Sequence, residues 1–137
     1  MNLKMCFFYN YFSKLHIQSH LDTLILHTLP NSLVSHCVEQ LCNFANYFGY
    51  SIDYVLGLSN NRKCNINKEF SYKILGENIR KLRIKNNYSQ SYLANKMKVT
   101  QACIVRWEKG ITKISLPNLY ELAKFFNVTL SDICYSL

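Results

Sequence analysis

The stretch Ser89–Gly110, SQSYLANKMKVTQACIVRWEKG, decides the fold prediction because it contains two short helices joined by a tight turn. Ser89 is a good N-cap for the first helix, and Thr100 is a good N-cap for the second. The second helix is expected to run to Lys109 and to stop at Gly110, since glycine commonly follows the last helical residue. The pattern predicts a compact helical unit whose two helices meet at an angle.

The second of these helices has one apolar side and one side that is free for recognition. The apolar side consists of Cys103, Ile104 and Trp107. The opposite side consists of Gln101, Ala102, Val105 and Arg106. The major groove of DNA admits a helix, where glutamine can pair with adenine, arginine with guanine, and a short apolar side chain can touch a thymine methyl. This side, with Thr100 at its amino end, is therefore predicted to contact base edges.

The flanking sequence also predicts helices. Leu75, Ile79 and Leu82 make one helical stripe, and a polar segment at 86–88 ends that helix. A further helix is expected over Leu116–Phe126, with Pro117 in its first turn, and a last short helix is expected from a cap at Thr129 to about Tyr135. Glycine and proline are scarce, so the predicted fold class is all-α.

Over about residues 75–135, the segments IRKLR, SQSYLA, TQACIVRWEKG and LPNLYELAKFFNVTLSDI occur in an order and spacing that resemble the phage-repressor, Cro-like helix-turn-helix proteins, also called the XRE family. The resemblance implies a five-helix, lambda-repressor-like DNA-binding domain over residues 72–137. It implies that Gln90 touches a phosphate and supports Gln101, and that Arg106 joins Gln101 in base contact. It also implies phosphate contacts by Lys109 and Lys113.

The same resemblance implies an ion pair between Arg83 and Glu108 that ties the third helix of the domain to the first. The complete predicted set of DNA-contacting residues is Gln90, Thr100, Gln101, Ala102, Val105, Arg106, Lys109 and Lys113. Val105 stands where the family commonly has a polar residue, and Ala102 is short. We therefore expect fewer direct hydrogen bonds to bases and a larger share of recognition through backbone contacts and DNA shape.

Charge is distributed unevenly along the 137 residues. Residues 1–61 contain two basic and three acidic side chains, a net charge of −1, whereas residues 62–137 contain fourteen basic and five acidic ones, a net charge of +9. A basic surface attracts polyanions. An anionic partner is therefore expected for the second part of the chain.

A repeat links the two parts. At a constant offset of 78 residues, FANYFGYSIDYV (44–55) aligns with LAKFFNVTLSDI (122–133). The matched pairs are Ala45 with Ala123, Phe48 with Phe126, Ser51 with Thr129, and Ile52 with Leu130. Residues 38–59 thus resemble the last two helices of the same family. The predicted organisation is a truncated, degenerate helical copy over 1–58, a polar linker over 59–71, and the DNA-binding domain over 72–137.

The first copy is not expected to bind DNA. Its counterpart of the recognition segment, Asp22–His27, contains no lysine or arginine and has an acid near the predicted helix start. The aromatic residues of segment 7–12 are open to two interpretations, a partner-binding surface or the core of the shortened copy.

Other chemistries are disfavoured. Zinc ligands usually occur at tighter, paired spacings than His16, His20, His27, His36 and Cys37, so no metal site is expected. Cys103 could act as a redox switch, although a small buried side chain is the commoner role of a single cysteine. Phosphate-binding glycine loops, nucleophile elbows and paired catalytic groups are lacking, so neither an enzyme nor a cofactor is predicted.

The six cysteines are expected to be reduced thiols, because no cleavable secretory signal is apparent. No apolar run approaches the roughly 18–20 residues that cross a bilayer. A soluble, cytoplasmic protein is expected, with double-stranded DNA as its partner and no small-molecule ligand.

The predicted function is sequence-specific regulation of transcription, as a repressor that occupies an operator. Because one small domain covers a half-site, a homodimer is expected, and the nearly neutral first half is a candidate for holding two chains together. The alternative is a protein-interaction module, such as an antitoxin or anti-repressor, in which DNA binding is secondary or lost.

Overall fold

A computed structural model describes residues 37–62 and 70–135. Within these residues seven helices form and no β-strand is present: α1 (Cys37–Phe48), α2 (Ile52–Val55), α3 (Tyr72–Lys85), α4 (Gln90–Met97), α5 (Gln101–Glu108), α6 (Leu116–Phe126) and α7 (Leu130–Cys134). The predicted all-α class is confirmed. None of these helices has the length and apolar character needed to span a membrane.

The predicted caps define where the helices begin. Ser89 Oγ accepts a hydrogen bond from Tyr92 N (3.0 Å), and Thr100 Oγ1 accepts one from Cys103 N (3.3 Å). Thr129 and Asp132 make reciprocal bonds at the start of α7, which is a capping box. Each side chain satisfies an N–H group that the first helical turn leaves unpaired, so these starts follow from local sequence.

Left-handed residues end several helices. Asn87 (φ 57°) follows α3, Lys98 (φ 54°) follows α4, and Asn127 (φ 53°) follows α6. Asparagine tolerates this conformation because its side chain can bond locally. Gly110 (φ 66°) ends the turn after α5, and a Cβ there would lie 2.8 Å from Lys73 Cα. Glycine at this position therefore serves both the turn and the close approach to α3.

The five helices α3 to α7 form the domain that the resemblance implies, with α5 packed against both α3 and α4. Asn78 of α3, which is 1 % exposed, joins α7 to this arrangement. Its Nδ2 atom donates to the carbonyl oxygens of Ile133 (2.9 Å) and Tyr135 (2.8 Å). One buried amide thus satisfies carbonyl groups that the end of a helix leaves unpaired.

The two copies of the predicted repeat have the same backbone design. Gly49 (φ 68°) and Asn127 (φ 53°), 78 residues apart, each terminate the longer helix in a left-handed conformation. The hydrogen bond from Tyr50 N to Ala45 O (2.8 Å) is matched by that from Val128 N to Ala123 O (3.0 Å). Ser51 caps α2 as Thr129 caps α7. The units α1–α2 and α6–α7 are therefore structural equivalents.

The α1–α2 unit shares one hydrophobic core with the domain. Its contribution consists of Val38, Leu41, Cys42, Ala45 and Ile52, all buried in the same cluster as the side chains of α3 to α7. Tyr135, which is 2 % exposed, donates a hydrogen bond from its hydroxyl to Cys42 O (3.3 Å). The predicted domain boundaries at 58 and 72 stay a prediction, since residues 63–69 lie outside the described part.

Cys42, Cys103 and Cys134 are free thiols. A hydrogen bond with Cys42 and complete burial both raise the pKa of Cys134 well above its usual value. Within the described ranges no group of three His, Cys, Asp or Glu side chains could hold a metal ion. The four histidines, the segment Asp22–His27 and the aromatic residues of 7–12 lie outside those ranges.

Candidate nucleic-acid interface

The turn between α4 and α5 positions the candidate site. At the end of α4, Lys98 N bonds to Asn95 O (3.3 Å) and Val99 N bonds to Ala94 O (3.0 Å). These bonds satisfy the last carbonyl groups of α4 while Lys98 adopts its left-handed conformation. Thr100 then starts α5 at once. The short turn leaves little freedom for the angle between the two helices.

The inner side of α5 is held against the domain. Ile104, Trp107 and Glu108 are 0 %, 5 % and 7 % exposed, respectively. At Gly76 of α3 a Cβ atom would collide with the backbone carbonyl of Trp107. The backbones of α3 and α5 therefore touch directly, and α5 has little room to shift.

The outer side of α5 faces solvent. We define the recognition surface by the predicted residues that lie on α5 or at its ends: Thr100, Gln101, Ala102, Val105, Arg106 and Lys109. Five of them are exposed and Val105 is half-buried. Free N–H groups at the start of α5 add a partial positive charge to this surface. The structure thus brings together donors and cations that suit base edges and phosphates.

Gln101 has a partner that the sequence analysis missed. Ser91 Oγ donates a hydrogen bond to Gln101 Oε1 (2.9 Å), which orients the amide with its nitrogen free to donate elsewhere. The resemblance implies that Gln90 gives this support. In the structure Gln90 Nε2 instead donates to Glu108 Oε2 (2.9 Å), so that expectation is corrected.

The reason is local. Gln90 and its neighbour Ser91 are both polar and both lie in the first turn of α4, but they point in different directions around the helix. Gln90 is half-buried and Ser91 is exposed. The signal that could have identified Ser91 is its position on the solvent side of α4, the same side on which Gln101 begins α5.

The ion pair between Arg83 and Glu108 is present. Arg83 Nε lies 2.5 Å from Glu108 Oε1, and the two side chains are 12 % and 4 % exposed. Arg83 Nη2 donates to Glu108 Oε2 (3.0 Å), and Nη1 donates to Tyr88 O (2.9 Å). The hydrogen bonds to Glu108 raise the pKa of Arg83 further above its ordinary value. The bidentate ion pair connects α3 to α5, and the bond to Tyr88 O connects α3 to the segment before α4.

Lys113 lies farther along the chain and has partners of its own. Its Nζ atom is 3.4 Å from Glu39 Oε2 of α1 and 5.5 Å from the centre of the Tyr72 ring. Half of the side chain is exposed. Lys113 is therefore not grouped with the recognition surface by any contact, and a phosphate would compete with Glu39 for it.

Cys103 is half-buried on α5 and does not lie fully in the core. Its sulfur accepts a hydrogen bond from Thr100 Oγ1 (3.2 Å), and its N–H donates to the same threonine. Cys103 therefore belongs to the structure that starts the recognition helix.

Known proteins with similar features are as follows. Residues 79–133 match the Helix-turn-helix family, HTH_3. No curated protein matches the chain. Among solved structures, the restriction-modification controller protein C.AhdI from Aeromonas hydrophila is 24 % identical, with a TM-score of 0.43, over 45 % of this chain and 94 % of that one.

A hypothetical transcription factor, NHTF from Neisseria, is 21 % identical, with a TM-score of 0.44, over 53 % of this chain and 88 % of that one. The family match begins within α3, spans α4, the turn and α5, and extends through α6 and most of α7, so it includes the helix that carries the recognition surface. The similarity shown is therefore that of residues 79–133 to the XRE-type helix-turn-helix family.

Proposed function

We propose that this protein recognises a specific DNA sequence through α5 and represses transcription by occupying an operator. The observation that carries the proposal is the contrast between the two sides of α5. The inner side is fixed by Trp107, Glu108 and the close backbone contact at Gly76. The outer side exposes Gln101 and Arg106, the two residue types best suited to reading adenine and guanine.

In the proposed complex α5 lies in the major groove with its amino end toward the bases. Gln101, oriented by Ser91, and Arg106 read base edges. Ala102 and Val105 offer apolar contact to thymine methyl groups. Each good bidentate contact supplies about 1–3 kcal/mol of discrimination between bases.

Phosphate contacts set the register of the protein on the duplex. Lys109, exposed just after α5, is the main proposed phosphate contact. Gln90 retains its carbonyl oxygen and second amide hydrogen for neighbouring groups, but one of its N–H bonds is held by Glu108. Thr100, at the start of α5, is also proposed to contact the DNA. Lys113 is a weaker contact, since binding a phosphate costs its interaction with Glu39.

Two chains are proposed to act together as a homodimer on a palindromic operator in the cytoplasm. Each described chain has one recognition surface, which covers a half-site. Specific affinity at physiological salt usually needs the combined contacts of two such domains.

The salt dependence of binding tests the proposal against the protein-interaction alternative. A fluorescent duplex of mixed sequence is titrated with the full chain at several salt concentrations. We expect the logarithm of the association constant to fall linearly with the logarithm of salt. Lys109→Ala should reduce the slope by about 1, whereas Lys113→Ala should reduce it less.

Lys124→Ala is the charge-matched control. Lys124 is exposed on α6, 5.9 Å from the centre of the Tyr120 ring, and is not part of the recognition surface. Its removal should leave the slope almost unchanged. If Lys109→Ala and Lys124→Ala change the slope equally, or if binding does not depend on salt, α5 is not the DNA-contacting helix. Either result would favour the interaction module.

A further inference from the structure

The contact between α2 and α7 joins positions that are equivalent in the repeat. Asp53 aligns with Ser131 at the offset of 78 residues, and the two side chains touch. Ser131 donates to Asp53 Oδ2 from its hydroxyl (2.7 Å) and from its backbone N–H (3.1 Å), and Leu130 N donates to Oδ1 (2.9 Å). Equivalent positions of two copies meet in this way near a two-fold axis, as in an isologous dimer.

The apolar contacts of the two units have the same character. Matched positions supply buried side chains from both copies to one cluster: Val38 and Leu116, Leu41 and Leu119, Ala45 and Ala123, Ile52 and Leu130. Each of these side chains is at most 5 % exposed. The two units therefore present the same apolar positions to one shared core, as the two halves of a self-complementary interface do.

At one position the two units differ, and the difference favours contact between α2 and α7 of the same chain. Where α7 has Ser131, α2 has the carboxylate of Asp53, which is 7 % exposed and accepts three hydrogen bonds from the start of α7. A carboxylate is stabilised by the unpaired N–H groups at a helix start. A second copy of α7 would offer a serine hydroxyl in that place.

We infer that α1–α2 occupies, within one chain, the position that the α6–α7 unit of a second chain would take in a two-fold dimer. The face of α7 that contacts α2 is thus covered by the chain itself. The two chains of the proposed homodimer consequently do not contact each other through α7. They contact each other through a different surface, or the DNA alone holds them together. The inference itself does not depend on DNA binding by α5.

Oxidative cross-linking of the full chain tests this inference. In the double variant Asp53→Cys/Ser131→Cys, mild oxidation should link positions 53 and 131 within one chain, identified by mass spectrometry of the linked peptides. In Ser131→Cys alone, no link between the two positions 131 of different chains should form. The wild-type chain, treated in the same way, shows the background from the natural cysteines.

A third variant tests whether a second copy can take the vacated place. Asp53→Arg combined with Ser131→Cys removes the carboxylate and adds a cation at the helix start, so links between positions 131 of two chains should form in clear excess over Ser131→Cys alone. Circular dichroism shows whether this variant keeps its helices.

Two results would overturn the inference. The first is efficient linkage of positions 131 between chains in the single variant, which would mean that another chain already occupies this surface. The second is a folded Asp53→Arg/Ser131→Cys variant without increased linkage, which would mean that α7 does not accept a second copy. If the Asp53→Arg/Ser131→Cys variant unfolds, the other two variants still test the inference. It then requires a link within one chain in Asp53→Cys/Ser131→Cys and no link between chains in Ser131→Cys.

Discussion

Glu108 lies on α5 but accepts hydrogen bonds from two other helices, through Arg83 of α3 and Gln90 of α4. The Glu108 side chain is 4 % exposed, so its charge depends on these partners for compensation. The residue that holds the recognition helix in place is thus an acid in a strongly basic part of the chain. Glu108 lies on the buried side of α5, so its role is structural. A carboxylate on the opposite, solvent-facing side would repel phosphate.

We expect Glu108→Ala to lower the free energy of unfolding by about 3–5 kcal/mol, because it leaves the guanidinium of Arg83 buried without its partner. Urea denaturation measures this loss. The double variant Arg83→Met/Glu108→Leu, which replaces the pair with apolar side chains, should recover a large part of it. Equal losses in the single and double variants would contradict a compensating ion pair.

Tyr72, at the start of α3, has a buried hydroxyl without a hydrogen-bond partner among the described residues. Burial, with a contribution from the charge of Glu39, raises the pKa of Tyr72 to about 12. The folded state therefore keeps the proton to a higher pH than the unfolded chain, whose tyrosine titrates near the ordinary value of 10.0. This contribution to stability is complete below about pH 10 and is lost as the pH rises toward 12.

We expect the Tyr72→Phe variant to unfold with a free energy close to that of the wild type at neutral pH, because it loses no hydrogen bond. Between pH 10 and 12 the wild type should lose stability more steeply than the variant. Chemical denaturation of both proteins across this range isolates the tyrosine from the titration of the lysines. Parallel loss of stability in the two proteins would contradict the raised pKa.

Some residue-level roles could be predicted from the sequence and others could not. The caps Ser89, Thr100 and Thr129 are local, since each bonds a backbone group three residues away. The partner of Gln101 could not be chosen between Gln90 and Ser91, because that choice depends on how two helices cross. The bonds of Asn78 and Asp53 span 55 to 78 residues and depend on tertiary packing alone.

At the scale of elements, the position of α5 depends on the close approach of α3. Gly76 allows this approach, because a Cβ atom there would collide with Trp107 O and lie 2.8 Å from Glu108 O. These are backbone atoms of a helix, which cannot move aside as a flexible side chain can. The distance between α5 and α3 therefore depends on Gly76 of α3.

Gly76→Ala should reduce the free energy of unfolding by about 1–3 kcal/mol, the usual cost of overpacking a core. It should also weaken DNA binding, because α5 is forced outward. Glu77→Ala is the matched control: this neighbour is exposed, and its removal should change stability by about 0.5 kcal/mol or less. An alanine at position 76 that leaves both quantities unchanged would contradict the close helix contact.

Helix positions were more predictable than helix contacts. The bounds Leu116–Phe126 match the predicted helix, because proline at its start and asparagine at its end act locally. The offset of 78 residues likewise predicts that α1–α2 and α6–α7 have the same design. It does not predict that the units pack on each other, because sequence equivalence carries no information about contact.

At the scale of the whole molecule, the described residues combine the complete five-helix domain α3 to α7 with the two-helix unit α1–α2. The α1–α2 unit contributes apolar side chains to the shared core and a carboxylate to the start of α7. The recognition surface belongs to the complete domain, which also holds most of the positive charge. In the described residues the recognition surface thus lies on α5, and the core beneath α5 includes side chains from both units.

In the proposed complex α5 reads the DNA sequence through Gln101 and Arg106. The measurement that tests it most directly is selection from random DNA duplexes with the full chain, repeated with Gln101→Ala/Arg106→Ala and with Lys109→Ala.

The wild type should enrich one motif, and Lys109→Ala should enrich the same motif with weaker binding. The double variant should lose preference at the positions that the two side chains read. Enrichment of no motif by the wild type, or of an unchanged motif by the double variant, would contradict the claim.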